Sequence, residues 1–212
     1  MPRLQLPVLC AVLIAPLAPA CAGTRESARA EQPGVAREVA HFTRIEASGP
    51  LELSVEIGAA IGLVADPGTE LVAEVSGATL RLWLPEGTRN TVRSAVQVSA
   101  PHIDALSCSK GASARLAGLE GGRIALALEG AGSILASGSV ERLEARIDGS
   151  GALDLEGLAA READVLVRGS GRAQVSVSGA LEAEVDGPGS VVYRGDPIVW
   201  AGGSGAGNVM RR

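Results

Sequence analysis

Residues 141–157 read ERLEARIDGSGALDLEG, and residues 161–179 read READVLVRGSGRAQVSVSG. Set one above the other, they match run for run and glycine for glycine. Each holds an alternating apolar–polar run, a Gly-Ser-Gly corner, a second alternating run and a closing glycine. Residues 181–195 (LEAEVDGPGSVVYRG) repeat the plan, and weaker copies precede it at 123–138 and 105–118. The second glycines of the corners, Gly132, Gly151, Gly171 and Gly189, lie 19, 20 and 18 residues apart. A period near 20 residues, with alternation between the turns, predicts a solenoid of stacked strands.

Within a unit the expected inward positions are aliphatic. They are Leu143, Ala145 and Ile147 before the corner and Leu153 and Leu155 after it. Val165, Val167, Val175 and Val177 fill the same places in the next unit, with Glu, Arg, Asp, Gln and Ser between them. One coil cannot bury its own apolar edge, but stacked coils share a continuous aliphatic core. Corners with backbone close to backbone call for glycine, which also adopts positive φ at little cost. A helical alternative fails, because a glycine every nine or ten residues would cost about 1 kcal/mol each inside a helix. The expectation is an all-β, right-handed parallel β-helix (β-solenoid) with coils of about 18–21 residues and glycine corners.

Composition agrees with a thin core. The 212 residues include 28 glycines, and the aromatics are Phe42, Trp83, Tyr193 and Trp200 alone. Aromatic rings normally supply much of a core's buried area, so small aliphatic rungs must serve instead. Net charge is −5, with arginines scattered among acids. Nucleic-acid binding calls for a basic stripe, and none is present.

Upstream of the repeats the pattern is also period two. Phe42–Ala47 and Leu51–Ile57 alternate around the turn Ser48-Gly49-Pro50, as half-buried strands do. Leu71–Val75, Thr79–Leu84 and Ala95–Ser99 are further expected strands, and residues 86–94 read as an exposed polar loop. No strict repeat is visible in this half.

The N-terminus reads as an export signal over residues 1–20. Arg3 gives a positive start, Leu6 to Leu17 an apolar stretch, and Ala18-Pro19-Ala20 a small-residue cleavage site. Leu17-Ala18-Pro19-Ala20-Cys21 resembles the lipobox of bacterial lipoproteins, although the leucine stands one position early and Pro19 is unusual beside a cut. That resemblance implies lipidation at Cys21. Residues 21–40 then read as a flexible tether, with a reach of roughly 25 Å for a coil of that length. Cys10 would leave with the signal, and Cys108 reads as a small buried hydrophobe.

Chemical constellations are weak. Asp148, Asp154, Glu156, Asp164 and Asp186 are carboxylates of the kind a glycosidase pairs across a cleft, but they read as solvated strand faces. Trp83 and Trp200 fall at opposite ends of the fold and read as covers for the stack. Asp148-Gly149-Ser150-Gly151-Ala152-Leu153-Asp154 approaches a calcium-binding repeat, yet the next unit has Ala173-Gln174 where a ligand is needed. His41 and His102, 61 residues apart, have no cysteine or acid at metal-ligand spacing. The Gly-Ser-Gly corners precede strands, so they are neither nucleophile elbows nor phosphate loops. No catalytic residue, metal site or cofactor is expected.

One family gathers these features. Phe42-x-x-Ile45-x-x-Ser48-Gly49, Thr79-Leu80-x-Leu82, the serial Gly-Ser-Gly corners, Val192-Tyr193-Arg194-Gly195-Asp196-Pro197 and the final Gly203-Ser204-Gly205 occur in that order. Over residues 41–209 the chain resembles the head GIN domain family of bacterial putative auto-transporter adhesins. The Gly-Ile-Asn tripeptide echoed by that name is absent. The resemblance implies a β-solenoid, exported and often lipid-anchored. The expected structural corners are Gly132, Gly151, Gly171, Gly189 and Gly205. The expected role is a non-catalytic, adhesin-like binding module at the outer membrane, periplasm or cell surface. Its partner would be a surface polymer or protein; it would meet the membrane through the lipid anchor alone and self-associate through the solenoid ends. The alternatives are a polysaccharide lyase or glycosidase on a β-helix and a purely structural envelope subunit.

Overall fold

The computed structural model describes residues 27–29, 41–66, 70–85 and 93–212. The expected signal and Cys21 lie outside the described residues. Fifteen strands join in one sheet, and among the described residues there is no helix. The upstream strands are β1 (Ser27–Arg29), β2 (Arg44–Ser48), β3 (Leu51–Ile57), β4 (Gly62–Ala65), β5 (Val72–Ser76), β6 (Thr79–Trp83), β7 (Ser94–Ala100) and β8 (Ala105–Ser109). Four long strands follow: β9 (Ser113–Gly130), β10 (Ser133–Gly149), β11 (Ala152–Gly169) and β12 (Arg172–Asp186). The last coil consists of β13 (Ser190–Arg194), β14 (Ile198–Gly202) and β15 (Asn208–Arg211).

Strands β9 to β12 stack in parallel, each on the next, and the whole is an all-β solenoid of about five turns. Each long strand runs through a bend instead of stopping at it, so a coil has one tight corner and one soft one. The tight corner keeps register: Gly130, Gly149 and Gly169 are direct partners. Differences in coil length are absorbed at the soft bend, where the pairing shifts between Ala136 and Gly138 and again between Leu155 and Ala159. Bulges of this kind take up an extra residue without breaking the ladder.

The upstream half stacks out of chain order. The β2–β3 coil lies between β6–β7 on one side and β8–β9 on the other, all in parallel. Strands β4 on β7, β5 on β6 and β1 on β5 are antiparallel and close this end of the stack. Three differences from the sequence reading appear here. Ser27–Arg29, inside the segment read as a tether, pairs with Val72–Glu74. Gly62–Ala65 forms an unexpected strand. Ser94, assigned above to an exposed loop, starts β7 and is buried, its N–H donating to Pro50 O.

The core is a set of aliphatic columns. Ile124, Leu143, Ala163 and Leu181 share one column, and Leu128, Ile147, Val167 and Val185 another, all buried. Every inward residue named from the alternation is buried. Fully burying one Leu, Ile or Val contributes about 1.5–3 kcal/mol, so many small rungs replace a few aromatics. Phe42 is the one fully buried aromatic ring among the described residues.

The two glycines of each corner do different work. At Gly149, φ is +132°, in the region that favours glycine. Gly171 has no such φ, but a Cβ there would stand 2.6 Å from Ile147 Cγ2, so its place is set by close approach to the rung below. The first-glycine column runs Gly49, Lys110, Gly130, Gly149, Gly169, Gly187, Gly205, and every member has positive φ. Lys110, at φ 53°, holds the glycine place in it.

Candidate functional site

The coils present two outer faces. On one, the outward residues of β9, β10, β11 and β12 alternate with the core rungs and form columns about 4.8 Å apart per coil. Oppositely charged neighbours pair along and across the strands. Arg123 meets Glu144 at 2.6 Å, Arg142 reaches Glu144 at 3.9 Å and Glu162 at 3.8 Å, and Arg146 meets Asp148 at 2.6 Å. These pairs are exposed, so each contributes only about 0–1 kcal/mol. They offset part of the charge of the face.

The other face is built by the first halves of the long strands. It carries Arg115, Leu135, Asp154, Gln174, Val192 and Met210 in one column. Beside it Gln174 Nε2 donates to Glu156 Oε1 at 3.4 Å, and Arg212 Nη1 donates to the same oxygen at 2.6 Å. This surface mixes charge, amide, hydroxyl and apolar groups, with fewer internal ion pairs than the first. It can offer hydrogen bonds to a ligand lying along the stack.

The carboxylates singled out above are spread over these two surfaces. Asp148 and Asp164 project from the ion-paired face, and Asp154 and Glu156 from the other. Asp186 sits at the tight corner, where Ser204 N and Ser204 Oγ both donate to Oδ1 at 2.9 Å. These hydrogen bonds from Ser204 hold the Asp186 carboxyl below its ordinary range. Trp83 and Trp200 stand at opposite ends, in β6 and β14. Trp200, over Glu182 on the last coil, is 58% exposed.

His102 joins neither His41 nor a metal set. Its Nε2 lies 2.7 Å from Asp104 Oδ1. A hydrogen bond from the Thr43 side chain, reinforced by His102, keeps Asp104 below the usual carboxylate range. Among the described residues no group of three or more His, Cys, Asp or Glu is placed to hold a metal ion. Cys108 is fully buried, and that burial pushes its thiol up to about 12.

Gly132, Gly151, Gly171 and Gly189 are buried in one column at the tight corners. Gly205 follows Gly187 in the neighbouring column, and it is Gly207 that continues the column of Gly189, with Asn208 paired to Ser190. The last corner is thus Gly205-Ala206-Gly207. Sequence reading also missed Ile198, 64% exposed beside Trp200. The signal was present: Ile198-Val199-Trp200 is consecutively apolar where lower units alternate.

A parallel β-solenoid with solid, polar flanks defines the class of this chain. It belongs to the family described as putative auto-transporter adhesin, head GIN domain, which it matches over residues 41–197. Solved structures share the fold. A putative adhesin from Bacteroides fragilis NCTC 9343 has a TM-score of 0.66 at 15% identity, covering 89% of this chain and 98% of its own. A putative adhesin from Parabacteroides distasonis ATCC 8503 has a TM-score of 0.53 at 17% identity, covering 90% and 98%. A putative lipid binding protein from the same strain has a TM-score of 0.50 at 19% identity, covering 90% and 97%. No curated protein matches the chain.

Proposed function

We propose that this chain is a non-catalytic binding module of the bacterial cell envelope, exported and held to a membrane by lipid on Cys21. The face bearing Arg115, Asp154, Glu156, Arg172 and Gln174 contacts a surface polymer or protein. The observation that carries this reading is the outward column of Arg115, Leu135, Asp154 and Gln174 on parallel strands, with Glu156 and Arg172 on the same strands beside it. Rungs about 4.8 Å apart that mix polar and apolar side chains along the stack suit an extended partner better than a compact substrate. The family's description as adhesins supports the same role. Carboxylates spread over two faces, with the tryptophans at opposite ends, give no observation in favour of a glycosidase or lyase.

Two experiments test the two halves of the proposal. The purified chain is applied to an array of bacterial surface polysaccharides and to solubilised envelope proteins. Retention on at least one partner is expected, falling about tenfold or more in Arg115→Glu/Arg172→Glu. Failure to be retained by any of them contradicts the binding role. For the anchor, Cys21→Ala moves the protein from the membrane fraction to the soluble one, and unchanged fractionation contradicts lipidation.

A further inference from the structure

We infer that copies of this chain associate side by side, the upper coils of one copy laying their ion-paired face against the opposite face of the next. This rests on the proposed binding role of the face bearing Arg172 and makes a second copy its protein partner. Strands β13 and β14 both stack on β12, so they stand at one level on the two faces. On the ion-paired face the outward residues of these coils include Asp164 on β11, Glu182 and Glu184 on β12, and Ile198 and Trp200 on β14. On the other face Arg172 projects from β12 and Arg194 from β13. All of these side chains are exposed. Among the described residues no ion pair or side-chain hydrogen bond holds Asp164, Glu182, Glu184, Arg172 or Arg194.

The upper coils are therefore charged oppositely on their two faces. On the first, Arg168 reaches Asp186 at 4.0 Å and Arg142, one coil lower, reaches Glu162 at 3.8 Å, which leaves Asp164, Glu182 and Glu184 to set the sign. On the second, Arg212 is held by Glu156 at 2.6 Å and Arg211 by Asp196 at 3.0 Å, which leaves Arg172 and Arg194. Lower down the ion-paired face the charges are met within one chain, Arg123 by Glu144 and Arg146 by Asp148. The uncompensated acids and the uncompensated arginines thus lie on different faces at the same height.

A neighbour turned only about an axis parallel to the stack keeps its rungs level with those of the first copy. Arg172 then comes to the level of Glu182 and Glu184 of the partner subunit, and Arg194 to the level of Trp200 of the partner subunit. A guanidinium over an indole face is a favourable cation–π contact. Glu182, one rung below Trp200, offers that guanidinium a carboxylate as well. The copies meet side on and no strand edge takes part, so β15 over β13 obstructs nothing. Exposed ion pairs are individually weak and are screened by salt, so the association is weak and salt-sensitive. The contact joins unlike faces and leaves one of each free, so it continues into a row or a ring instead of ending at a dimer.

The test is sedimentation of the full chain carrying Cys10→Ser and Cys21→Ser, which removes lipid and stray disulfides as causes of association. At about 100 µM in low salt it is expected to form oligomers that dissociate on dilution or in about 1 M salt. Glu182→Arg/Glu184→Arg and Arg172→Glu/Arg194→Glu should each associate at least about tenfold more weakly, with an unchanged β-sheet circular dichroism spectrum. Mixed in equal amounts the two variants regain association, because each presents the charge the other lacks. A chain that is monomeric at every concentration, oligomers indifferent to both reversals, or a mixture that stays monomeric overturns the proposal. Capture of an oligolysine peptide through Glu182 and Glu184 by a chain that stays monomeric overturns it in favour of a basic partner. Retention of such a monomer on the polysaccharide and envelope-protein array overturns this inference alone and leaves the binding role standing.

Discussion

Gly171 packs against the Ile147 side chain of the coil below, so close that a Cβ on Gly171 would stand 2.6 Å from Ile147 Cγ2 and 3.0 Å from Gly151 O. The rung of one coil therefore fills the space left by the missing side chain of the next. Gly171→Ala is predicted to lower stability by about 2–3 kcal/mol through overpacking. In an Ile147→Ala background the same change should cost less, with a coupling energy of about 0.5–3 kcal/mol in a denaturant double-mutant cycle. Strict additivity would show that the two sites do not touch.

Lys110 provides the converse case, because its demand is conformational. It holds φ 53° in a column otherwise made of glycine. Lys110→Gly removes the left-handed strain, about 1–2 kcal/mol, while adding roughly 1 kcal/mol of chain entropy to the unfolded state. The midpoint of thermal unfolding should stay level or rise slightly. Lys110→Val, β-branched at positive φ, should lower it clearly.

Asp186 ties β12 to the last corner through Ser204 N and Oγ. Its carboxyl titrates below the ordinary 3.8 because those donors favour the charged form. A carboxyl whose pKa is lower in the folded state stabilises the fold above the unfolded pKa. That contribution is lost as pH falls from about 3.8 through the lower folded value. Asp186→Asn should lower the neutral plateau of a melting-temperature profile and flatten its acid limb in that window, so that the two profiles converge at low pH. An acid limb identical to that of the parent chain would contradict the assignment.

Cys108 predicts the alkaline limb. Its thiol moves from 9.0 to about 12 on burial, so the folded state keeps a proton that the unfolded state releases. Stability from this group is complete below pH 9 and falls as pH rises toward 12. Cys108→Ala should remove that slope, and native Cys108 should resist thiol reagents until the protein unfolds.

How much could be read in advance follows from what each residue signals. Gly149 and Gly151 announce a corner because few other residues tolerate both its φ and its crowding, and Leu143, Ala145 and Ile147 announce a core by alternation. The four-residue β4, GLVA, does neither, since its strand exists through pairing with β7. Lysine does not advertise positive φ, so Lys110 was legible only once Gly49 and Gly130 flanked it in the stack. Chain order hid the β2–β3 coil's place between β6–β7 and β8–β9. The surface was harder still: charges on strands read alike whether they pair with each other, as Arg146 and Asp148 do, or face a partner.

The central claim is binding without turnover, and one incubation tests it most directly. The purified chain is held with a retained surface polysaccharide while bound protein and newly formed chain ends are measured in the same sample over time. Stable retention with no increase in reducing or unsaturated ends is expected. A steady rise in chain ends that Asp154→Ala/Glu156→Ala abolishes would contradict it.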